Sequence, residues 1–234
     1  MHPCLSGART SIDSIGEHIM KKIAILGGKL SSLSMAHTLL DYTNSLEIHI
    51  IDEKAEIGLI GEYPGIISKW PLFPKHWIST FFSQEPSKED NAVRHSWLVK
   101  AMATQLSKRN TIFHLRTRVL ENTNNQLKLS GAGYIGRTTI LFDNIFDNTQ
   151  DSEDSELWKG GICLSSHAPN YGIQGKRNDG TIEIWWKKDE DKTCNTQWVQ
   201  RMKWQGENPE YTIQLQYQRG IELAREYIDT IIHP

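Results

Sequence analysis

A pair of glycines and a pair of acids are the residues whose types and spacing could do chemistry in this chain. Gly27 and Gly28 directly follow a short apolar run, and Asp52 and Glu53 directly follow a second one. Glycines at the end of a strand allow a tight turn whose backbone N–H groups can face a phosphate. Carboxylates at the end of a neighbouring strand can accept hydrogen bonds from the hydroxyls of a ribose. Together these residues predict a nucleotide site.

The elements that must position these residues follow the order strand, turn, helix, strand. Residues 23–26 are apolar throughout, which favours a strand buried on both faces, and residues 46–51 make a second strand. Between them, Ser31 and Ser32 stand where a helix begins, and an apolar stripe follows on one face of that helix. This order predicts the opening βαβ unit of a dinucleotide-binding domain, in which the helix N-terminus receives a pyrophosphate.

The same segment resembles the motif G-x-G-x-x-G-x-x-x-A of the FAD/NAD(P)-binding Rossmann superfamily. Gly27 matches the first glycine, Ala36 the alanine and Glu53 the ribose-binding acid. Lys29 stands at the second glycine and Ser32 at the third. The second glycine of the family lets the backbone approach the pyrophosphate. The lysine therefore either pairs with the phosphate as a charge or blocks the site.

The following residues resemble the branch of that superfamily that holds flavin monooxygenases, halogenases and lycopene cyclases. A helix predicted over 91–108 opens near Arg94, and a strand predicted over 111–119 returns to the parallel sheet. A β-meander follows, and then a short buried strand ends in a turn at 147–150, where Gln150 replaces a glycine. The cofactor-binding residues that the resemblance implies are Gly27, Gly28, Lys29, Ser31, Ser32, Asp52, Glu53, Arg94 and Thr149.

The last third of the chain predicts a second, smaller sheet and a closing helix. Antiparallel strands follow the acidic link 151–156, and Asn178-Asp179-Gly180 is a hairpin turn between two of them. In the flavoenzymes that the chain resembles, a substrate sheet stands at this position. Gly206-Glu207 is a weak match to the second FAD motif of the family, and the amphipathic segment 211–232 after it is predicted as a helix.

These patterns predict an α/β protein, with a Rossmann-like FAD/NAD(P)-binding fold made of a parallel central sheet, a β-meander and a small antiparallel substrate sheet. The aromatic-rich loop 58–86 is expected to pack against this fold, and part of it alternatively lines a ring-binding pocket. The sequence predicts a flexible N-terminal extension at 1–20 and a dinucleotide-binding domain at 21–157. A substrate or cap region follows at 158–210, and a C-terminal helix at 211–234 is expected to pack on the dinucleotide-binding domain.

Composition and missing motifs argue against several function classes. Charged residues make up 23% of the chain and the formal net charge is −2, so we expect no nucleic-acid partner. No apolar run is long enough to span a membrane. The widely separated Cys4, Cys163 and Cys194 favour neither a metal site nor a disulfide framework, and a reducing cytoplasm fits them best. His167 is a weak catalytic candidate, because a loop between substrate-sheet strands could face a cofactor ring.

Three functions remain open from the residues. The first is an FAD-dependent oxidoreductase acting on a small organic substrate, and the second is a non-catalytic descendant of the fold that has lost the cofactor. Lys29, Ser32 and Gln150 favour the second, because each replaces a glycine near the cofactor. The third is an NAD(P)-binding oxidoreductase. The chain has eight tryptophans, and those of the small sheet favour a contact surface for a partner protein or a second copy.

Overall fold

The computed structural model describes residues 20–59, 63–81, 84–131, 136–149, 155–188 and 196–232. Residues 1–19 of the predicted extension, Gln150 and residues 151–154 of the predicted acidic link lie outside the described residues. The helices and strands are, in chain order, β1 (Lys21–Leu26), α1 (Leu30–Tyr42), β2 (Leu46–Ile51), α2 (His95–Lys108), β3 (Ile112–His114), β4 (Thr117–Thr123), β5 (Gln126–Gly131), β6 (Arg137–Leu141), β7 (Asn144–Asp147), β8 (Glu156–Leu164), β9 (Ile173–Lys176), β10 (Thr181–Lys187), β11 (Trp198–Gly206) and α3 (Thr212–Ile232).

The strands of the described residues form a parallel sheet and two antiparallel sheets. The parallel sheet has the order β3-β2-β1-β7, the meander has the order β4-β5-β6, and the last sheet has the order β11-β8-β10-β9. The predicted α/β Rossmann-like fold class is therefore confirmed. The predicted division of the chain into domains stays a prediction.

The parallel sheet is the layer that positions the candidate site. β1 lies in its middle, paired with β2 on one side and β7 on the other. Ile23 and Ile25 face the helical layer, whereas Ala24 and Leu26 face the meander, and all four are buried. Because both faces of β1 are covered, its sequence is apolar without alternation.

The predicted strand 111–119 is wrong as a single element. β3 pairs with β2 in the parallel sheet, but β4 belongs to the meander. Arg116 lies between them in the left-handed backbone region, with a φ of 50°. This turn directs the chain out of the parallel sheet.

The predicted helix 91–108 begins later than expected. Ala92 pairs with Ile66 in an isolated antiparallel bridge, so the helix starts only at His95. Trp97 on this helix is 40% exposed. Its ring lies 4.7 Å from the guanidinium of Arg94, which explains how a large apolar side chain is partly covered at the surface.

Aromatic side chains of the long loop after β2 belong to the hydrophobic core. Phe73, Trp77 and Phe81 are each no more than 4% exposed. The ring of Phe73 contacts that of Tyr217 on α3, with 4.9 Å between their centroids. The prediction that this loop packs against the fold is confirmed for these residues.

The closing helix α3 packs closely against α1. Gly220 lies at the crossing, where a Cβ would collide with the carbonyl oxygen of Ser31 and approach the Cβ of Ser34 to 2.7 Å. Small residues on both helices therefore allow the two backbones to approach each other. Among the described residues, no helix is both long and apolar enough to cross a membrane.

The tryptophans of the last sheet are divided between its two faces. Trp158, Trp185 and Trp204 are buried in a cluster on the inner face. Trp186, adjacent to Trp185, points to the other face as the strand period requires, and stacks on Trp198 at 5.6 Å. The expectation of a tryptophan-rich contact surface therefore concerns only the half-buried outer pair, and it stays a prediction.

A buried carboxylate joins the last sheet to the loop after β2. Glu183 is fully buried and forms an ion pair with Arg177, which is 6% exposed. Its Oε1 also accepts hydrogen bonds from the backbone N–H of Gly65 at 2.7 Å and from Nε1 of Trp185 at 2.6 Å. A buried charge is tolerated only when it is paired and hydrogen-bonded in this way.

Several histidines are buried in the neutral form. Burial lowers the pKa of His37 to about 3 and that of His95 to about 4. Burial and the neighbouring His49 lower the pKa of His114 to about 4. Nδ1 of His49 lies 2.8 Å from Nε2 of His114, so at most one of these facing nitrogens carries a proton.

We expect the free energy of unfolding to fall as the pH decreases from 7.5 to 5.5. In the unfolded chain, His37 and His95 take up a proton as the pH falls through their ordinary pKa of 6.5, but in the fold they stay neutral. Protons therefore bind preferentially to the unfolded state. Each should cost about 1.4 kcal/mol by pH 5.5. Urea unfolding across this range measures the slope. His95→Asn should reduce this slope, and a slope equal to that of the wild type would contradict the assignment.

Candidate functional site

The candidate site lies at the carboxyl ends of β1, β2 and β7. β2 pairs with one side of β1 and β7 pairs with the other side, so the order of the strands in the sheet changes direction at β1. Such a reversal leaves a crevice at the carboxyl edge of an open parallel sheet. A cavity of about 420 Å³ occupies this edge, which we call the first cavity. Its lining includes Gly27, Gly28, Lys29, Asp52, Glu53, Thr117, Asn122, Asp147 and Thr149.

The turn after β1 is held by Asp52. Gly27 has a φ of 88°, in the region that glycine adopts without strain. Oδ2 of Asp52 accepts the N–H of Gly28 at 2.7 Å, and Oδ1 accepts the N–H of Lys54 at 2.8 Å. A Cβ on Gly28 would collide with Cδ1 of Ile57 and lie 2.6 Å from Oδ2 of Asp52. Asp52 therefore fixes the turn, and both its oxygens are engaged.

Glu53 is placed differently from its neighbour. Its side chain is 67% exposed, and its nearest cation is Nε of Arg118 on β4, at 3.6 Å. The pair is open to solvent on both sides, so it contributes little stability. The carboxylate of Glu53 lines the first cavity and can accept hydrogen bonds there.

Lys29 caps the beginning of α1 with its backbone, and its side chain crosses the crevice. The helix has no side-chain N-cap, so the N–H groups of its first turn are left for other partners. Nζ of Lys29 donates to the carbonyl oxygen of Thr149 at 3.0 Å. Ser32 is buried, and its hydroxyl oxygen accepts from Nδ2 of Asn148 at 3.4 Å. The serine thus packs α1 against the end of β7, the position at which the family motif has a glycine.

A second cavity of about 330 Å³ lies on the other side of Lys29. Lys29 and Ser31 line it from the start of α1, and Gly206 and Glu207 line it from the end of β11. The tertiary structure thus brings the weak second motif next to the first. Other lining residues are Tyr63, Asn148, Trp204, Gln205, Leu215, Gln216, Gln218, Arg219 and Glu222.

Two of the predicted site residues lie apart from both cavities. The guanidinium of Arg94 binds Asp179 of the hairpin before β10, with NH2 to Oδ2 at 2.8 Å. His167 is exposed in a short 3-10 turn after β8. Neither residue is among the lining of the two cavities. Their predicted roles in cofactor binding and catalysis stay predictions.

Several residues of the second cavity had no local sequence signal. Gln216 and Arg219 look like ordinary polar positions on an amphipathic helix, and Tyr63 belongs to a loop. The one available signal was Gly220, because a glycine inside a helix often marks a close approach. Among the described residues, no group of acids, histidines and cysteines is arranged to hold a metal ion.

Comparison with known proteins identifies the fold. No family model matches the chain, and no curated protein matches it in sequence. A flavoprotein/dehydrogenase from Cytophaga hutchinsonii matches in structure with a TM-score of 0.59 at 9% identity, over 89% of this chain and 79% of that one. Glycine oxidase from Bacillus cereus matches with a TM-score of 0.56 at 11% identity, over 87% and 94%.

An aromatic hydroxylase from angucycline biosynthesis, CabE, gives a third match. Its TM-score is 0.53 at 9% identity, over 87% of this chain but only 62% of the hydroxylase. The chain thus has a Rossmann-like α/β fold similar to that of these three proteins, as its first motif predicted. Identities this low define the fold and leave the activity to be argued from the site.

We expect Gly28→Ala to destabilise the fold by about 1–3 kcal/mol, because its Cβ would overlap Ile57 and displace Asp52 from the N–H that it accepts. Chemical denaturation measures the loss. Ile57→Val removes the overlapping methyl group, so the same glycine substitution should cost less in that background. An equal loss in both backgrounds would contradict the clash with Ile57.

Proposed function

We propose that the protein is an FAD-dependent oxidoreductase that acts on a small organic substrate. The observation that carries the proposal is the pair of cavities that meet at Lys29, at the start of α1 and the carboxyl edge of the parallel sheet. A dinucleotide has two halves joined by a diphosphate, and this arrangement offers a space on each side of a helix N-terminus. The likeness in fold to a flavoprotein/dehydrogenase supports the same class.

The residues present fit such a cofactor. Glu53 would accept the ribose hydroxyls, and the N–H groups at the start of α1 would receive the diphosphate. Gln216 is nine-tenths buried in the lining of the second cavity, and its Oε1 has no hydrogen-bond partner among the described residues. A buried amide oxygen without a partner is costly, which favours a ligand that donates to it. When bound, FAD supplies the electron-accepting ring.

Aromatic side chains close one wall of the second cavity. The rings of Tyr63 and Trp204 meet edge to face, with 4.7 Å between their centroids. Nε1 of Trp204 donates to the carbonyl oxygen of Glu207 at 2.8 Å, which fixes the indole. These rings would exclude water from a flat cofactor ring and orient it. The loop 58–86 would therefore serve the pocket through Tyr63. His167 stays a weak catalytic candidate from the sequence alone, because it lies outside both cavities.

Glu53→Gln should weaken FAD binding by about 1–3 kcal/mol, since a carboxylate accepts ribose hydroxyls more strongly than an amide does. The melting temperature should stay unchanged, because the side chain is largely exposed. Isothermal titration with FAD and with NAD⁺ measures both affinities. Glu121→Gln is the control, since Glu121 pairs with Lys128 on the meander outside both cavities. Stronger binding of NAD⁺ than of FAD would favour the NAD(P)-binding alternative.

A non-catalytic descendant of the fold is the second candidate, and the contact between Lys29 and Thr149 favours it. That hydrogen bond crosses the crevice where a diphosphate would have to pass. The direction in which Lys29→Ala changes the affinity for FAD distinguishes the two functions. It should fall if the ammonium pairs with phosphate, and rise if the side chain blocks the site. Lys29→Gly should behave in the same way. No FAD binding by the wild type or either variant would exclude the cofactor.

A further inference from the structure

The crossing of α1 and α3 brings side chains of α3 to the start of α1. Gly220 contacts Ser31 and Ser34 of α1 without room for a Cβ. Gln216 precedes Arg219 by three residues and Gly220 by four, so Gln216 has both as neighbours on the surface of α3. Both residues line the second cavity together with Lys29 and Ser31.

Within the described part of the chain, Gln216 carries a buried acceptor without a partner, and Arg219 is an exposed cation. Gln216 is 9% exposed, and its Oε1 accepts no hydrogen bond there. The guanidinium of Arg219 has neither a hydrogen bond nor an ion pair to a described residue. A buried acceptor and an available planar cation therefore face the space next to an uncapped helix N-terminus. Guanidinium groups bind phosphate oxygens through paired N–H donors.

Acidic side chains in the same lining restrict what the cavity can hold. Glu207 and Glu222 share it with Lys29 and Arg219, so its formal charges balance. A bare phosphate would be attracted by the cations and repelled by the carboxylates. A phosphate ester with neighbouring hydroxyls satisfies both, because its hydroxyls can donate to the carboxylates and to Oε1 of Gln216.

We propose that Arg219 binds the phosphate and Gln216 a hydroxyl of a polyol phosphate, the part that FAD and FMN share. The inference rests on the proposed function and deepens it. In the family motif, glycine backbone approaches the phosphate at the position where this chain has Lys29. Side chains from α3 take over that contact, and the close crossing at Gly220 makes it reachable.

The test titrates riboflavin, FMN and FAD into the wild type, Arg219→Ala and Gln216→Leu, followed by flavin fluorescence. Arg219→Ala should weaken FMN and FAD binding roughly 10- to 100-fold and leave riboflavin binding unchanged, since riboflavin has no phosphate. Gln216→Leu should weaken all three ligands roughly 5- to 10-fold. Without ligand, Gln216→Leu should melt at the same temperature or higher, because it removes an unpartnered buried oxygen. Arg225→Ala, on an exposed part of α3 outside the cavity, is the matched control.

Each result decides between the two proposals. Wild-type FAD binding that Arg219→Ala and Gln216→Leu leave unchanged would overturn the α3 assignment while the proposed function stands. If the wild type binds FMN but not FAD, and Arg219→Ala loses the FMN binding, the α3 assignment would be upheld and the FAD-dependent function overturned. A wild type that binds none of the three flavins would overturn both. An equal loss of FMN and FAD affinity in Arg225→Ala would show that the effect of Arg219 comes from the net charge of the protein, and it would refute a specific contact.

Discussion

The buried carboxylate of Glu183 is the constraint on which the arrangement of the two main sheets depends. It ties Arg177 and Trp185 of the antiparallel sheet to the backbone of Gly65 in the loop after β2. A charge at that depth is stable only while every partner is in place. The same junction is extended by Lys176, whose carbonyl oxygen accepts the N–H groups of residues 91 and 92 at 3.0 Å. The loop, the start of α2 and the last sheet are thus held as one unit.

That junction also shapes the crevice. By fixing Gly65, it fixes the neighbouring Tyr63, whose ring meets Trp204 from the end of β11. The other wall comes from α1 and α3, whose close approach depends on Gly220. The second cavity therefore exists only where the antiparallel sheet, the loop and the closing helix converge. Of the elements around this cavity, only α1 belongs to the opening βαβ unit.

The departures from the family motif have definite structural consequences. Ser32 keeps the packing function of a small residue, because its hydroxyl meets Asn148 while α1 stays close to β7. Lys29 does not substitute for the glycine of the motif in this way, because its side chain spans the crevice to Thr149. A cation at this position adds charge for phosphate and removes space for it. The balance between those effects decides whether this edge of the sheet can accept a phosphate, and it is a property of one side chain.

The sequence by itself determined β1, β2 and β7, the glycine turn, the acids after β2, the hairpin at Asp179 and the closing helix, because periodicity and turn chemistry are local properties of the backbone. It did not determine that Arg116 would divide a predicted strand, or that Arg94 would bind the hairpin. Only the tertiary structure brought Gln216 and Arg219 to Lys29. Helix packing decides which side chains from distant parts of the chain come together. The spacing of residues along one helix does not predict which other helix it packs against.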